Sequence, residues 1–421
     1  MGCLNIHGFL MLSLILRLLI PSSVHSSDIT THVESLTIPF AERYPKGDAT
    51  YARNVWDLQV FEGRLYIGAG NYDNEGPAPN AGPVPILALD PVSGTVVREG
   101  ETDEEEISRF EMIDGKLFIP GADARESWKL GNLYRREADG QWLKLRTIPR
   151  AIHVSALTGH FGRMYAGLKA TDTVPWYVDF KGYGSAVAVS GDNGVSWKFL
   201  PLGGYGINAF LNVAGHIYAI DVFPGPGIER WISAHGRENY YAPIYELNPS
   251  DEGFVRRPDL TAEQLFPDTQ AAKGRACVIN RSARFKNSAI YIGSGAHGPF
   301  GLYRADSLAK EDIRTTHIPL PEETIPRDIL VCDEKAFVLL EGPVMQKGIQ
   351  VIVLASRDMK QWANILQFCA PAFARSFELL NGDFYFGLGC EVKNRSDWHQ
   401  EELHPETGRL LRIKGKYVTT F

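Results

Sequence analysis

Short segments in which apolar and polar positions alternate recur along the whole chain, as expected for half-buried β-strands. Seven of them share one pattern: a turn residue, usually glycine, then a variable position, an apolar residue, an aromatic anchor and an apolar residue. Their anchors recur about every 50 residues, a period typical of a β-propeller with one blade per repeat. The anchors are Tyr66, Phe118, Tyr165, Tyr218, Tyr291, Phe337 and Tyr385.

Each anchor strand has further strand patterns on both sides. Residues 55–61 precede the first anchor, residues 186–189 follow the third, and residues 197–200 add a fourth strand there. The sequence therefore predicts an all-β fold, a seven-bladed propeller of four-stranded antiparallel blades. Either residues 34–39 or residues 416–421 would supply the strand that closes the ring. The N-terminal segment is favoured because it resembles other fourth strands and would cover exposed strand edges.

The first residues differ from the rest of the chain. Residues 10–20 are mostly apolar, too few to span a bilayer but typical of a signal peptide. We expect residues 1–26 to be a signal peptide and residues 27–421 to form one propeller domain. The protein would then be secreted or periplasmic, with no membrane span. In that compartment Cys277, Cys332, Cys369 and Cys390 would form two disulfides or remain buried thiols.

Composition narrows the range of partners. The formal net charge is -7, which argues against a nucleic-acid partner because such proteins need clustered Lys and Arg. We expect the acidic run at residues 101–106 to lie on a solvated loop between blades. No spacing of cysteines or histidines predicts a metal site, and no cofactor is predicted. We expect a monomer.

One turn carries a recognisable motif. It reads Ser190-Gly-Asp192-Asn-Gly194-Val-Ser-Trp197, and a second copy, Ser356-Arg-Asp358-Met-Lys-Gln-Trp362, lacks the glycine. The motif resembles the Asp-box of sialidase-like propellers, which implies a propeller fold rather than a reaction. The Phe-Arg-Ile-Pro motif of sialidases is absent, and those enzymes typically have six blades. Their catalytic residues therefore cannot be transferred to this chain.

The first strand of each blade lines the channel of a propeller, so residues at one register should converge on the axis. Counting back from each turn, this register holds Trp56, Ser108, Ser155, Asn208, Arg281, Arg327 and Arg375. The three arginines would form a cationic arc suited to carboxylate or sulfate, while Trp56 and Asn208 would also contact the ligand. Alternatively, each arginine pairs with a carboxylate such as Asp328 or Glu378 and is structural.

Three further residues are candidates for catalysis. His153 is the histidine of the inner strands, and its side chain exchanges protons near neutral pH. Asp57 follows Trp56 as a channel carboxylate, and Tyr205 precedes the first strand of the fourth blade, where it would donate a proton.

Two classes of function fit these residues. In the first, the protein processes an anionic polysaccharide that carries uronate or sulfate groups. A lyase would use arginine against the carboxylate and His153 or a tyrosine against the adjacent proton, whereas a sialidase-like hydrolase would need two groups flanking one bond. In the second, the propeller only binds a glycan or a protein. Ion-paired arginines would favour binding, and unpaired arginines facing His153 would favour catalysis.

Overall fold

The chain forms a seven-bladed β-propeller in a computed structural model. The structure describes residues 28–71, 81–171, 183–224, 243–248, 253–269, 276–295, 298–391 and 403–420. The predicted signal peptide therefore lies outside the described residues. Seven separate four-stranded antiparallel sheets contain every strand of the described residues, which confirms the predicted fold.

Six blades are built from four consecutive strands each, numbered here in chain order. Blades 1 to 3 contain β2 (Asp57–Phe61), β3 (Arg64–Gly68), β4 (Val84–Leu89), β5 (Val96–Thr102); β6 (Glu111–Ile113), β7 (Lys116–Pro120), β8 (Leu130–Arg136), β9 (Trp142–Pro149); and β10 (Ala151–His160), β11 (Arg163–Thr171), β12 (Tyr183–Ser190), β13 (Lys198–Pro201). Blades 4 to 6 contain β14 (Ala209–Val213), β15 (His216–Ile220), β16 (Ile244–Asn248), β17 (Gly253–Arg256); β18 (Cys277–Phe285), β19 (Ser288–Gly295), β20 (Gly298–Ala309), β21 (Asp312–Ile318); and β22 (Ile325–Cys332), β23 (Lys335–Met345), β24 (Gly348–Ser356), β25 (Ala363–Ala370).

Blade 7 combines both ends of the chain. It contains β26 (Ala374–Leu380), β27 (Asp383–Leu388), β28 (Leu410–Ile413) and, as its outermost strand, β1 (Glu34–Ser35). The predicted N-terminal closure is therefore confirmed. The other candidate segment, residues 416–421, begins within a short 3-10 helix, Gly415–Tyr417. The described ranges hold three more short helices: 3-10 turns at Thr30–His32 and Asp48–Arg53, and α1 (Ala262–Leu265).

The repeated motif follows from two packing requirements. In six of the seven blades the turn before the anchor strand uses two consecutive positive φ angles, as at Glu62 (47°) and Gly63 (73°), the geometry of a tight hairpin in which glycine is favoured. At the other end of the strand, the next blade packs directly on the backbone. A Cβ added to Gly68 would lie 2.5 Å from the Ile107 carbonyl oxygen, and one on Gly387 would lie 2.3 Å from Val55 Cγ1. Glycine there lets adjacent blades touch.

The aromatic anchors form the core between blades. All seven are buried, with exposed fractions of 5% or less. Tyrosine anchors also satisfy their hydroxyl groups in or near the core. Tyr66 donates to Glu99 Oε2 at 2.8 Å, and Tyr291 donates to the Leu265 carbonyl at 2.6 Å. The predicted register of hydrophobic positions therefore matches the observed core.

The expectation of a solvated acidic run is wrong. Glu104 is fully buried and Glu106 is 3% exposed. Glu104 accepts hydrogen bonds from Asn132 Nδ2 at 2.6 Å and the Tyr134 hydroxyl at 3.1 Å, both on blade 2. Burial raises the pKa of Glu104, with the two hydrogen bonds acting against it. The run is thus part of the contact between blades 1 and 2, because the next blade supplies its polar partners.

Three further expectations concern the cysteines, a membrane span and a metal site. Cys277, Cys332, Cys369 and Cys390 carry free thiols; Cys277 and Cys390 are buried, as in the second predicted alternative, whereas Cys332 and Cys369 are only half-buried. Among the described residues, no helix has the length and apolar character needed to cross a bilayer. No cluster of potential metal ligands occurs among those residues either.

Candidate functional site

A cavity of about 730 Å³ opens at one end of the central channel. Every blade contributes to it through the start of its first strand. The residues at this level are Trp56, Ser108, Ser155, Asn208, Asn280, Arg327 and Arg375. Six of these are the residues predicted to converge there; the exception is in blade 5.

In blade 5 the predicted register is wrong by one residue. The hairpin of that blade pairs Phe285 with Ser288, and Asn280 is the bulged residue left out of the pairing between β18 and β19. In blade 6 the residue left out of the pairing between β22 and β23 is Arg327. Asn280 is therefore the counterpart of Arg327, and Arg281 lies one level deeper. The prediction counts back from Ser288, whereas the turn of this blade is formed by Lys286 and Asn287 and contains no glycine to mark it.

Arg327 and Arg375 form the cationic edge of the cavity. Arg327 donates from Nε to Glu341 Oε2 at 2.7 Å and from Nη1 to Glu391 Oε1 at 2.8 Å. Arg375 Nη2 lies 3.3 Å from the same oxygen of Glu391. Both guanidinium groups also lie against the Phe373 ring, at 4.2 and 5.1 Å from its centre. Glu391 thus occupies the position between two arginines that a ligand carboxylate would take.

The bridging carboxylate is ionised. Burial raises the pKa of Glu391, but Arg375 and Arg327 outweigh this effect and hold the pKa below its ordinary value. Its side chain is 40% exposed, whereas those of Arg327 and Arg375 are 8% and 13% exposed. A ligand anion that reaches the arginines from solvent therefore meets Glu391 first.

The floor of the cavity is a layer of buried charges. Arg281 lies 3.4 Å from Asp57 Oδ1 and 3.5 Å from Asp328 Oδ1, and it donates to the Trp56 carbonyl. Arg109 reaches from blade 2 to the Asn280 carbonyl at 3.2 Å. Two buried carboxyl groups share one guanidinium, and burial raises the pKa of both, to about 7 for Asp328. Arg281 and Arg109 line the cavity, while Asp57 lies beneath them.

Asp57 therefore does not have the position predicted for a catalytic carboxylate. Its Oδ2 accepts the Phe110 N–H at 2.7 Å, which ties blade 1 to blade 2. Asp328 makes the same kind of contact with the Phe377 N–H at 3.2 Å, from blade 6 to blade 7. Their geometry is that of structural connections between neighbouring blades.

His153 lies on the opposite wall, in blade 3. Its Nδ1 contacts the Ala122 carbonyl oxygen, which requires a proton on Nδ1 and leaves Nε2 as the acceptor nitrogen. Burial lowers its pKa, the Ala122 hydrogen bond raises it, and the nearby Lys169 lowers it again, with a net decrease. Lys169 is the cross-strand partner of His153 on β11. The imidazole is therefore neutral near pH 7 and has the form of a general base.

Tyr205, Asn208 and Trp56 also line the cavity. The backbone N–H of Tyr205 donates to Asp221 Oδ2 at 3.0 Å, and Asn208 Nδ2 donates to the Gly206 carbonyl at 3.0 Å. These contacts fix the start of the first strand in blade 4.

The Trp56 ring has a partner within the protein. Its Nε1 donates to the Gly70 carbonyl at 2.8 Å, and the Arg375 guanidinium lies 4.2 Å from the ring centre. Arg375 is fixed in turn by Nε donation to Asn54 Oδ1 at 3.0 Å. Trp56 therefore orients Arg375 through a cation–π contact, and its stacking face is shared with that arginine.

The cavity is cationic within an acidic protein. Among the described residues that line it, five carry positive charge and two carry carboxylates. The cations are Arg109, Lys169, Arg281, Arg327 and Arg375, and the carboxylates are Glu106 and Glu391. Lys169 and Glu391 did not appear among the sequence candidates because neither belongs to a first strand. The cross-strand register of His153 would have identified Lys169.

Comparisons with known proteins show the fold but no closer relationship. No known protein family and no curated protein matches the chain. The WD40 repeats of RRP9 match with a TM-score of 0.52 at 12% identity, over 93% of this chain and 99% of that one. A gluconolactonase from Xanthomonas campestris matches with a TM-score of 0.40 at 12% identity, over 94% and 99%. The propeller domain of the Trilobed protease from Pyrococcus furiosus gives 0.40 at 10%, over 73% and 82%. The chain is similar to these proteins in being a β-propeller, and membership of the Asp-box superfamily stays a prediction.

Proposed function

We propose that the channel-mouth cavity binds an acidic saccharide, one that carries a carboxylate or sulfate group. The excess of cationic side chains around the cavity carries this proposal. Guanidinium groups bind such anions through paired, charge-assisted hydrogen bonds. Arg375 keeps donor capacity for this purpose, since only its Nε and Nη2 have acceptors among the described residues.

We further propose that a bound uronate is cleaved by elimination. His153 Nε2 would take the proton next to the carboxylate, the electron pair of that bond would form a carbon–carbon double bond, and the bond to the leaving oxygen would break. Tyr205 would return a proton to that oxygen. Arg375 and Lys169 would stabilise the negative charge that develops on the carboxylate. The neutral, oriented imidazole of His153 favours this reaction.

Binding without catalysis is the second candidate, and the ion pairs favour it. Arg281, Arg327 and Arg375 each already contact a carboxylate of the protein. Hydrolysis is less well supported, because it needs two carboxyl groups around one bond. Of the two carboxylates on the described cavity wall, Glu391 is held ionised between arginines and is a poor acid.

The test measures binding and product formation separately. The protein is titrated calorimetrically with oligogalacturonate and with a heparin oligosaccharide, and the ultraviolet absorbance of an unsaturated uronate product is followed in parallel. Elimination predicts product with the wild type and none with His153→Gln, which should still bind. Arg375→Lys retains charge but not the paired donors and should weaken binding. Binding without product supports the second candidate, and no binding of either probe refutes the proposal.

A further inference from the structure

The two Asp-box-like turns lie at equivalent seams of the ring, a seam being the contact between two adjacent blades. The first, between β12 and β13 of blade 3, packs on blade 2; the second, between β24 and β25 of blade 6, packs on blade 5. Arg135 of blade 2 donates to Glu137 at 2.6 Å and to the Asn193 carbonyl of the first turn at 2.9 Å. Arg304 of blade 5 repeats this arrangement at the second turn.

Arg304 donates to Asp306 at 2.7 Å and to the Asp358 carbonyl of the second turn at 3.3 Å. The serines that begin the turns also act alike. Ser190 Oγ accepts the Gly194 N–H at 2.9 Å, and Ser356 Oγ accepts the Met359 N–H at 2.8 Å. The two seams therefore share one framework, and a difference between them reflects the residues placed on it.

The first seam is closed. Trp197 Nε1 donates to Thr147 Oγ1 and to the Gly194 carbonyl, both at 3.1 Å. Gly194 has a φ of +89°, and a Cβ there would lie 2.6 Å from Leu133 Cδ2, so only glycine lets the turn approach blade 2 this closely. The indole is thus satisfied entirely by the protein.

The second seam is open. Its turn is one residue shorter and contains Met359 and Lys360 instead of glycine. A cavity of about 640 Å³ lies between this turn and β21, and Trp362 lines it. The indole nitrogen of Trp362 is buried and has no hydrogen-bond partner in the described part of the chain. Buried donors usually have an acceptor, so the second seam differs from the first in leaving its indole N–H without one among the described residues.

The remaining lining residues show which chemistry fits. Arg304, Arg314 and Lys360 surround the cavity, and Asp306 is its carboxylate. Asp306 is already bound by Arg304 and by the Ser288 hydroxyl, at 2.7 and 2.5 Å. Arg314 is 62% exposed, so its charge is available to a ligand despite a 3.1 Å contact with Asp312.

We propose that this seam is a second binding site, for one acidic unit of a saccharide chain. Its carboxylate or sulfate group would bind Arg314 and Lys360, and its ring would lie against the Trp362 side chain. Aromatic side chains and cations combine in this way on polar, ring-shaped ligands. The site lies on the outer strands, remote from the channel mouth, so it stands whether or not the channel cavity binds saccharide.

Indole N–H resonances of the nitrogen-15-labelled protein test the proposal at single-site resolution. Trp362→Phe assigns the signal of Trp362, and the Trp56 signal reports on the channel mouth in the same spectrum. Titration with oligogalacturonate or a heparin oligosaccharide should shift the Trp362 signal, and a neutral cello-oligosaccharide should not. The two acidic probes distinguish carboxylate from sulfate recognition.

Removal of the charges provides the second readout. Arg314→Ala combined with Lys360→Ala should weaken binding at this signal about tenfold, because two charged hydrogen-bond donors are lost. Arg98→Ala is the matched control, an exposed arginine on the outer strand β5 that also pairs with a carboxylate. A Trp362 signal that does not move with either acidic probe, or moves equally in the double variant, overturns the proposal. Movement of the Trp56 signal alone does so as well.

Discussion

Raising the pH from about 5 to about 8 should destabilise the ring, because buried carboxyl groups of the inner strands hold protons that the unfolded chain releases. Burial raises the pKa of Glu111, Asp328 and Glu378 to about 7 each. Glu378 is the clearest of the three. Its two oxygens accept the Leu379 N–H at 2.8 Å and the Val60 N–H at 3.2 Å, and it is 6% exposed.

The size of the effect follows from the change in the Glu378 pKa between the unfolded and folded chain. The pKa rises from an ordinary 4.5 to about 7, and each pH unit corresponds to about 1.4 kcal/mol. The folded state binds more protons between these values, so the free energy of unfolding falls as pH rises through them. The contribution is fully present below about pH 4.5 and lost above about pH 7, a change of about 3 kcal/mol for this one group.

Glu378→Gln isolates this contribution. The amide cannot ionise, and it offers one acceptor oxygen instead of two, which costs about 1–3 kcal/mol at every pH. At about pH 5 the variant should therefore be less stable than the wild type, while at about pH 8 the two should be similar or reversed in order. Urea denaturation at both pH values gives the two differences in unfolding free energy. Equal differences at both pH values would refute the reasoning, because the offset alone has no pH dependence.

Two further predictions concern Glu391 in the cavity and Gly204, which precedes the first strand of blade 4. Glu391→Gln should tighten acidic-saccharide binding about tenfold in calorimetry, because it removes the internal anion from two arginines. The control Glu391→Asp keeps the charge and should not tighten binding. Unchanged affinity in both variants would contradict competition between the Glu391 carboxylate and the ligand anion. Gly204→Ala should lower the melting temperature sharply, since the new Cβ would lie 1.7 Å from Asp221 Oδ2, at a φ of +155°. The control Gly191→Ala meets nothing within 4 Å, and an equal loss in both would show that the close approach is unimportant.

The sequence predicts the architecture well because every blade repeats the same local requirements. Every blade has a tight turn followed by an aromatic anchor, as at Gly63 and Tyr66, and blades 1, 3 and 7 add a glycine against the next blade, as at Gly68. The N-terminal closing strand was also predictable, from its likeness to other fourth strands. These features depend on neighbours close in sequence or on the repeat itself.

The site was predictable only in part, because it depends on contacts across the ring. The sequence predicts Arg281 one level too high, since the pattern does not show that the turn of blade 5 ends before Ser288. Asp57 was identified as a channel residue, but the arginine above it separates it from the cavity. Glu391 follows β27 and reaches the cavity through the arginines that hold it, which spacing within one repeat cannot show.

The closing blade has a consequence for how the molecule is made. Blades 1 to 6 each form from consecutive strands, whereas β1 must pair with a strand at the far end of the chain, as in the contact between Glu34 and Arg412. During synthesis from the N-terminus, β1 therefore remains without its partner strand until β28 has been synthesised. A chain that stops early has an open ring with exposed strand edges, which associate readily with other chains. Closure of the ring therefore requires synthesis through residue 413, where β28 ends. A chain that stops before this residue keeps exposed strand edges.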